Sequence, residues 1–235
     1  MSCFQFKHFK LRQGFSALKF GTDAMLLGAF ASDLLPNDAA ILDVGTGTGA
    51  LAMMLAQLHP NRNIKGIEID QTAALEATFN FSQSSFFNQL SLIHADFFSL
   101  PSMPKVDAII SNPPYYQNTL LGKDERVNRA KHANQFSFPE FLQRAYDLTK
   151  ENGQLIYIFP FEDLSLQTEL LQRAGWFAKQ VIEISGKPDL PVRAIILAQK
   201  EEISSNTQKF TIRNADNSYT SEYIALTKEF HSKAL

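Results

Sequence analysis

The chain has 235 residues with a formal net charge of −2, and 45% of its residues are hydrophobic and 20% charged. This composition is typical of a folded globular protein and excludes a largely disordered chain. The single cysteine, Cys3, excludes a disulfide framework and a zinc site built from paired cysteines. The opening residues lack a signal-peptide core, and every apolar run is far shorter than the roughly 20 residues that span a bilayer. We therefore expect a cytoplasmic protein without membrane contact.

From residue 40 onward, short apolar runs alternate with helical patterns, which predicts an α/β fold with a mostly parallel sheet and helices on both faces. One helix is predicted to start at the capping-box pattern Ser137-x-x-Glu140 and to end at Asn152-Gly153. Residues 186–191, between the last two strands, are too few for a crossover helix, so these strands form an antiparallel hairpin. The seven predicted strands cover residues 40–44, 64–69, 90–95, 106–111, 154–160, 179–185 and 192–199.

The two ends of the chain follow a different pattern. Residues 4–9 alternate phenylalanine with polar residues, as a small strand does, and a helix is predicted over 21–35. The tail shows a short strand at 210–213 and a helical pattern over 221–230. We therefore predict one domain over 1–235, with an N-terminal extension at 1–35, a core at 36–200 and a C-terminal appendage at 201–235.

A glycine loop of the form G-x-G-x-G directly follows the first core strand, and an acidic residue precedes it. Glycines allow a tight turn and a close approach of a ligand to the backbone. Dehydrogenases place a G-x-G-x-x-G loop at the same point for a pyrophosphate, whereas an acid there suits a cationic, amino-bearing ligand. A purely structural turn is the other alternative. The loop resembles motif I of class I S-adenosylmethionine-dependent methyltransferases, and its predicted cofactor-binding residues are Asp43, Gly45, Thr46, Gly47 and Gly49.

Two further acids end the next two strands. Glu68, followed by Ile69, is expected to accept hydrogen bonds from ribose hydroxyls, and Asp70 is expected to cap the next helix. Asp96 is expected to accept a hydrogen bond from an adenine amino group, with Phe97 beside the ring. Open α/β sheets bind ligands at the carboxyl ends of their strands. The sequence therefore predicts a cofactor site at that edge.

The fourth strand ends in Asn112-Pro113-Pro114-Tyr115, which we predict to be catalytic, with Asn112 also near the cofactor. Two prolines stiffen the chain and remove its amide donors, so carbonyl oxygens and the Asn112 side chain remain as acceptors. Such acceptors hold a planar amine so that its lone pair faces a methyl donor, and Tyr115 offers a stacking surface. The tetrapeptide resembles motif IV of methyltransferases that modify planar amino groups. No metal or catalytic triad is required.

The segment 19–29, KFGTDAMLLGA, is similar to a segment of the bacterial tRNA1(Val) adenine-N6 methyltransferases. FQFK at 4–7, PVR at 191–193 and YTSEY at 219–223 also resemble that family. This resemblance implies a Rossmann-like class I methyltransferase fold, S-adenosylmethionine as cofactor, and N6 methylation of the adenosine next to the valine anticodon. It also implies that Thr22 and Asp23 lie over the methionine end of the cofactor. A tRNA substrate is the expected partner, with no metal and no obligate protein partner.

Basic residues mark a predicted RNA surface, because lysines and arginines neutralise phosphates. A solvated loop is the other interpretation of the same charges. The predicted RNA-binding residues are Lys123, Arg126, Arg129, Lys131, His132, Lys187 and Arg193.

Three alternatives share parts of this pattern. Release-factor glutamine methyltransferases also carry Asn-Pro-Pro-Tyr, but they usually add an N-terminal recognition domain for which this sequence shows no space. Other RNA amino-methyltransferases, such as guanine-N2 enzymes, share the core motifs. A non-enzymatic RNA-binding module of the same fold would not need the motif at 112–115.

Overall fold

The protein is described from a computed structural model that covers residues 3–15, 19–101, 103–114 and 136–233. Its strands are β1 (Cys3–Gln5), β2 (Lys10–Arg12), β3 (Ala40–Val44), β4 (Asn63–Glu68), β5 (Leu90–His94), β6 (Val106–Ser111), β7 (Thr149–Pro160), β8 (Phe177–Ser185), β9 (Pro191–Gln199) and β10 (Asn206–Thr211). Its helices are α1 (Thr22–Leu34), α2 (Ala50–Leu58), α3 (Gln71–Ser82), α4 (Phe138–Leu148), α5 (Leu164–Arg173) and α6 (Ser221–Thr227).

Eight strands form one sheet in the order β10-β8-β9-β7-β6-β3-β4-β5. Strand β9 runs antiparallel to β7 and β8, and the other neighbouring pairs are parallel. The predicted α/β fold with a mostly parallel sheet is therefore confirmed. The sheet has eight strands rather than the predicted seven, because the tail strand, predicted at 210–213 and observed as β10, pairs with β8 at the edge. Only Phe210 of β10 is buried, so this edge strand carries little apolar signal.

The predicted start of α4 at Ser137 is confirmed, but the predicted capping hydrogen bond and the predicted helix end are wrong. Ser137 is the N-cap residue, but its side chain makes no capping hydrogen bond. A proline in the first turn, Pro139, already removes one of the amides that a cap would satisfy. The helix also ends before Asn152-Gly153, which lies inside β7. Pairing of Thr149 with Val106 of β6 starts the strand immediately after the helix, so the turn signal is overridden by the sheet.

Both faces of the sheet are buried under helices. Ile41 and Ile110 belong to one apolar cluster, which α1, α2, α3 and α6 cover. Leu42 and Ile109 belong to the other, which α4 and α5 cover. Successive residues of a strand point to opposite faces, so the continuous apolar runs in the sequence follow directly from this two-sided burial.

The two ends of the chain pack together on the first of these faces. Strands β1 and β2 form an antiparallel hairpin, and Phe6 and Leu11 within this region are fully buried in the same cluster as Phe230. Lys7 forms an ion pair of 2.7 Å with Glu229. The extension and the appendage therefore cover one continuous part of the core.

The parallel strands all end at one edge of the sheet, which we call the carboxyl edge. Strand β9 starts at this edge because it runs in the opposite direction. The loops that follow β3, β4, β5 and β6 leave the sheet here, which is where ligands bind in open α/β folds.

Candidate active site

The glycine loop joins β3 to α2 at the carboxyl edge. Gly45 and Gly47 have φ angles of +70° and +57°, in the left-handed region that favours glycine. A Cβ atom at either position would meet nothing within 4 Å. At Gly49, by contrast, a Cβ atom would collide with the ring of Phe81. The loop therefore packs tightly against Phe81 of α3 at Gly49, and it leaves space for a ligand next to Gly45 and Gly47.

Asp43 lies fully buried beneath this loop. Its Oδ2 accepts a hydrogen bond of 2.6 Å from the Thr46 hydroxyl. Burial raises the pKa of Asp43 to about 7, although the Thr46 hydroxyl and the Ala52 amide favour the ionised form. Oδ1 has no hydrogen-bond partner of normal distance and angle among the described residues. Asp43 thus anchors the loop through Thr46 and leaves one carboxylate oxygen unpaired below it.

Glu68 connects the glycine loop to the end of β4. Its Oε2 accepts a hydrogen bond of 2.8 Å from the Gly47 amide, and its Oε1 accepts one of 2.8 Å from the Asp70 amide. An ionised carboxylate has about four acceptor positions, so Glu68 keeps acceptor capacity for a ligand. The neighbouring Ile69 is 64% exposed, an unusual value for an isoleucine at a strand end. Asp70 accepts from the Ala73 amide at 2.8 Å, which confirms it as the helix cap.

Asp96 follows β5 and holds a short turn. Its Oδ1 accepts a hydrogen bond of 3.0 Å from the Phe98 amide, and the Ser99 hydroxyl donates to its Oδ2 at 3.2 Å. Phe97 is buried, and its ring packs against Phe141 with centroids 5.8 Å apart. The structure therefore places the Phe97 side chain in the core beneath the turn, and the Asp96 carboxylate at the carboxyl edge.

The motif that begins at Asn112 leaves the sheet beside the glycine loop. Ser111 pairs with Val44 across β6 and β3, and its hydroxyl donates a hydrogen bond of 2.8 Å to the Val44 carbonyl oxygen. Neighbouring strands lie about 4.8 Å apart, so Asn112 and Gly45 start from adjacent positions. Asn112 is half-buried, Pro113 is buried and Pro114 is exposed.

Two residues of α3, Glu76 and Asn80, fasten the N-terminal extension to this site, and sequence reasoning missed both. Asn80 accepts from the Arg12 amide at 2.9 Å, and its Nδ2 donates to the carbonyl oxygens of Arg12 and Thr48 at 2.9 and 2.8 Å. Glu76 accepts from the Gly14 amide at 2.7 Å. Both side chains are almost fully buried. The available signal was their i, i+4 spacing among the alanines of the apolar face of α3.

The start of α1 meets the start of β9. Asp23, predicted to bind the cofactor, and Arg193, predicted to bind RNA, form an ion pair of 2.9 Å with each other. Thr22 is exposed beside them, and Lys187 is exposed in the turn between β8 and β9. These residues lie on the β8–β10 side of the carboxyl edge, whereas the three acids lie on the β3–β5 side.

The remaining predicted site residues lie outside the described residues, so their roles stay predictions. These residues are Tyr115, Lys123, Arg126, Arg129, Lys131 and His132.

Residues 3–15, 19–101, 103–114 and 136–233 contain neither a metal-ligand cluster nor a membrane-spanning helix. Within these ranges, no three His, Cys, Asp or Glu side chains are grouped as a metal ion would need. No helix within them has the length and apolar character to cross a membrane.

Comparison with known proteins identifies the family. Residues 14–160 match the methyltransferase small domain family. The tRNA1(Val) (adenine(37)-N6)-methyltransferase of Flavobacterium johnsoniae is 36% identical over 98% of this chain and 99% of its own length. The chain belongs to the tRNA1(Val) (adenine(37)-N6)-methyltransferase family. This match confirms the resemblance inferred from the motifs. The family consists of S-adenosylmethionine-dependent methyltransferases.

Solved structures support the fold of this methyltransferase. A predicted O-methyltransferase of Agrobacterium tumefaciens superposes with a TM-score of 0.69 at 18% identity, covering 91% of this chain and 99% of the other. TYW2 of P. horikoshii, solved in complex with MeSAdo, has a TM-score of 0.62 at 13% identity, covering 85% of this chain and 72% of the other. At these identities the likeness concerns the fold alone.

Proposed function

We propose that this methyltransferase transfers a methyl group from S-adenosylmethionine to the N6 amino group of an adenosine in tRNA. The observation that carries the proposal is the pairing of Ser111 with Val44, because it brings Asn112-Pro113-Pro114 next to the glycine loop. The name of the relative from Flavobacterium johnsoniae makes adenosine 37 of tRNA1(Val) the expected target. A tRNA substrate is consistent with the predicted cytoplasmic location. We also propose that residues 1–235 act as one domain.

The residues at the β3–β5 side fit S-adenosylmethionine, which supplies an electrophilic methyl group on a positively charged sulfur. Gly45 and Gly47 leave the space above the loop backbone that a ligand needs. Glu68 has acceptor capacity for ribose hydroxyls, and the exposed Ile69 offers an apolar surface to an adenine ring. The carboxylate of Asp43, one of its oxygens unpaired, places negative charge beneath a cationic ligand.

Two more acids complete the proposed cofactor site. Asp96 lies at the carboxyl edge after β5 and has acceptor capacity left for an adenine amino group. Asp23, held by Arg193 at the start of α1, is the proposed neighbour of the methionine end, together with Thr22. The buried contacts of Glu76 and Asn80 tie both the N-terminal extension and the glycine loop to α3.

Asn112 and Pro113 are proposed to hold the target amine. The lone pair of an adenine amino group is delocalised into the ring, so the amine is a weak nucleophile. Hydrogen bonds from its two N–H groups to the Asn112 side-chain oxygen and the Pro113 carbonyl oxygen orient the nitrogen and favour its pyramidal form. Because the prolines fix the backbone, this orientation is built in before the substrate arrives. Tyr115 is the proposed stacking surface for the extruded base.

The proposal is tested by assaying methyl transfer from labelled S-adenosylmethionine to three acceptors: a tRNA1(Val) transcript, the same transcript with guanosine at position 37, and a bacterial release factor. We expect transfer to the first acceptor, with N6-methyladenosine as the product after nuclease digestion, and background transfer to the other two. Transfer to a glutamine of the release factor, or equal transfer to both transcripts, would contradict the proposal.

A further inference from the structure

A cavity lies on the β8–β10 side of the carboxyl edge. Its volume is about 340 Å³, within the range of roughly 300–1,000 Å³ that small-ligand sites occupy. It opens between the β8–β9 turn, the start of α1 and the segment that joins β10 to α6. We call it the Lys187–Arg213 groove, and the residues that matter for its chemistry are Thr22, Lys187, Arg213, Tyr219 and Tyr223.

The groove presents a pre-organised guanidinium group. The Arg213 guanidinium carbon lies over the Tyr219 ring, 3.9 Å from its centroid, and the Tyr219 and Tyr223 rings are stacked with centroids 4.7 Å apart. Arg213 Nη1 also donates a hydrogen bond of 2.7 Å to the Asn217 carbonyl oxygen. An arginine has five N–H groups in a fixed fork, so most of them remain for a ligand while the side chain is already ordered.

The charge of the groove contrasts with that of the larger cavity nearby. Its lining carries two cations, Lys187 and Arg213, and no carboxylate among the described residues. The neighbouring cavity, of about 720 Å³, is lined by Asp33 and Glu222 together with Lys209. In a chain of net charge −2, a concave surface with two cations and without acids favours an anionic ligand.

The sheet connects the groove to the proposed catalytic motif. Strand β8 is three positions from β6 in the sheet, which corresponds to about 14 Å at a spacing of about 4.8 Å. Arg193 lies between the two, since it pairs with Pro160 of β7 on one side and Ile184 of β8 on the other. A ligand that reaches from Asn112 to the groove must therefore extend over more than one nucleotide.

We propose that the Lys187–Arg213 groove binds the RNA strand that flanks the target adenosine, with both cations on its phosphate groups. The inference rests on the proposed function, because it assigns part of the substrate to this groove. Single-stranded RNA of an anticodon loop combines phosphates with exposed bases and riboses. Lys187 and Arg213 match the phosphates. The Tyr219 ring lies between the Arg213 guanidinium and the buried Tyr223 ring, so the two tyrosines hold Arg213 in place for a phosphate.

The test compares the double variant Lys187→Ala, Arg213→Ala with the parent and with Arg173→Ala. Arg173 is a suitable control because its exposed side chain ends α5, at the opposite edge of the sheet from the groove. Binding of the tRNA1(Val) transcript is measured by fluorescence anisotropy over a series of salt concentrations. The slope of log K against log salt should fall by about 1.4 in the double variant, since each single-strand phosphate contributes about 0.7. KM for the transcript should rise about tenfold while kcat stays unchanged.

The outcomes separate the two proposals. The groove inference is overturned, and the proposed function stands, if the parent methylates the transcript and the double variant keeps the parent's salt slope and KM. A groove that binds a protein partner instead of RNA would give this result. A parent that neither binds nor methylates tRNA overturns both. If the double variant does not fold, Lys187→Ala alone, in an exposed turn, should lower the slope by about 0.7.

Discussion

The two sides of the carboxyl edge differ in how their polar groups are held. On the β3–β5 side, Asp43, Glu68 and Asn80 are buried and bonded to backbone amides, carbonyls or the loop hydroxyl. On the β8–β10 side, Lys187 is exposed and Arg213 is held by one hydrogen bond and one ring. Buried, directional contacts fix a small cofactor in one pose, whereas exposed cations act over distance on a flexible polyanion. Substitution of Glu68 should therefore change cofactor affinity, whereas substitution of Lys187 and Arg213 should change the response of RNA binding to salt.

The largest effect on activity is expected at Asn112, which lies between the two sides of the carboxyl edge. Asn112→Ala removes the proposed acceptor of the reacting amine, so kcat should fall by about a hundredfold or more. Affinities for S-adenosylmethionine and for tRNA should be unchanged. Single-turnover methylation and calorimetry measure these quantities, with Asn63→Ala, in an exposed position at the opposite edge, as the control. A kcat near that of the parent would rule out the acceptor role.

Glu68→Ala should give the next largest effect, and only on the cofactor side. The change removes two hydrogen bonds to loop amides and the proposed bonds to ribose hydroxyls. Hydrogen bonds to a charged group contribute about 1.5–3 kcal/mol, so S-adenosylmethionine should bind about ten- to a hundredfold more weakly. Calorimetry checks this against Glu151→Ala, whose side chain is 88% exposed. If Glu68→Ala binds S-adenosylmethionine as tightly as the parent does, Glu68 is not part of the cofactor site.

Asn80→Ala tests how far Asn80 holds the N-terminal extension and the glycine loop in place, since Asn80 is not a proposed ligand contact. It leaves the amide and carbonyl of Arg12 and the carbonyl of Thr48 without their partner. Unfolding free energy should fall by about 1–3 kcal/mol, and the first 15 residues should become sensitive to protease. Denaturant unfolding and limited proteolysis measure the two effects. The exposed Gln83→Ala, at the end of the same helix, serves as the control. Equal protease resistance in both variants would show that Asn80 does not hold the extension.

The smallest effect concerns the protonation of Asp43. Its pKa is raised from 3.8 to about 7 in the folded protein, so its contribution to stability is full below about pH 4 and is lost as pH rises through about 7. A cationic ligand favours the ionised form, so cofactor binding at about pH 6 should release protons and tighten as the pH approaches 7. Calorimetry in two buffers of different ionisation enthalpy counts these protons. Asp43→Asn should abolish the release, and identical proton counts for parent and variant would exclude this linkage.

The local parts of the site were predictable because their chemistry lies in short segments. Gly45, Gly47 and Asn112-Pro113-Pro114 follow strands directly, so turn geometry and strand order place them at one edge. Contacts between distant segments were not predictable. Arg12 and its partner Asn80 are 68 residues apart, and Asp23 and Arg193 are 170 residues apart.

The same distinction explains the errors in the fold prediction. The tail strand, predicted at 210–213, spans Asn206–Thr211, because five of its six side chains lack a buried position and its first residues are defined by pairing with β8. The turn signal of Asn152-Gly153 is local and was overridden by the pairing of β7 with β6. Nothing in a single sequence reports such pairings, since they depend on which strands meet in the folded sheet.

Nucleoside mass spectrometry of purified valine tRNA shows in cells whether this chain methylates N6 of an adenosine in tRNA. The tRNA is taken from cells that lack the protein and are complemented with the parent or with Asn112→Ala. N6-methyladenosine is expected in valine tRNA with the parent and not with the variant. Its presence without the protein, or its absence with the expressed parent, would contradict the account.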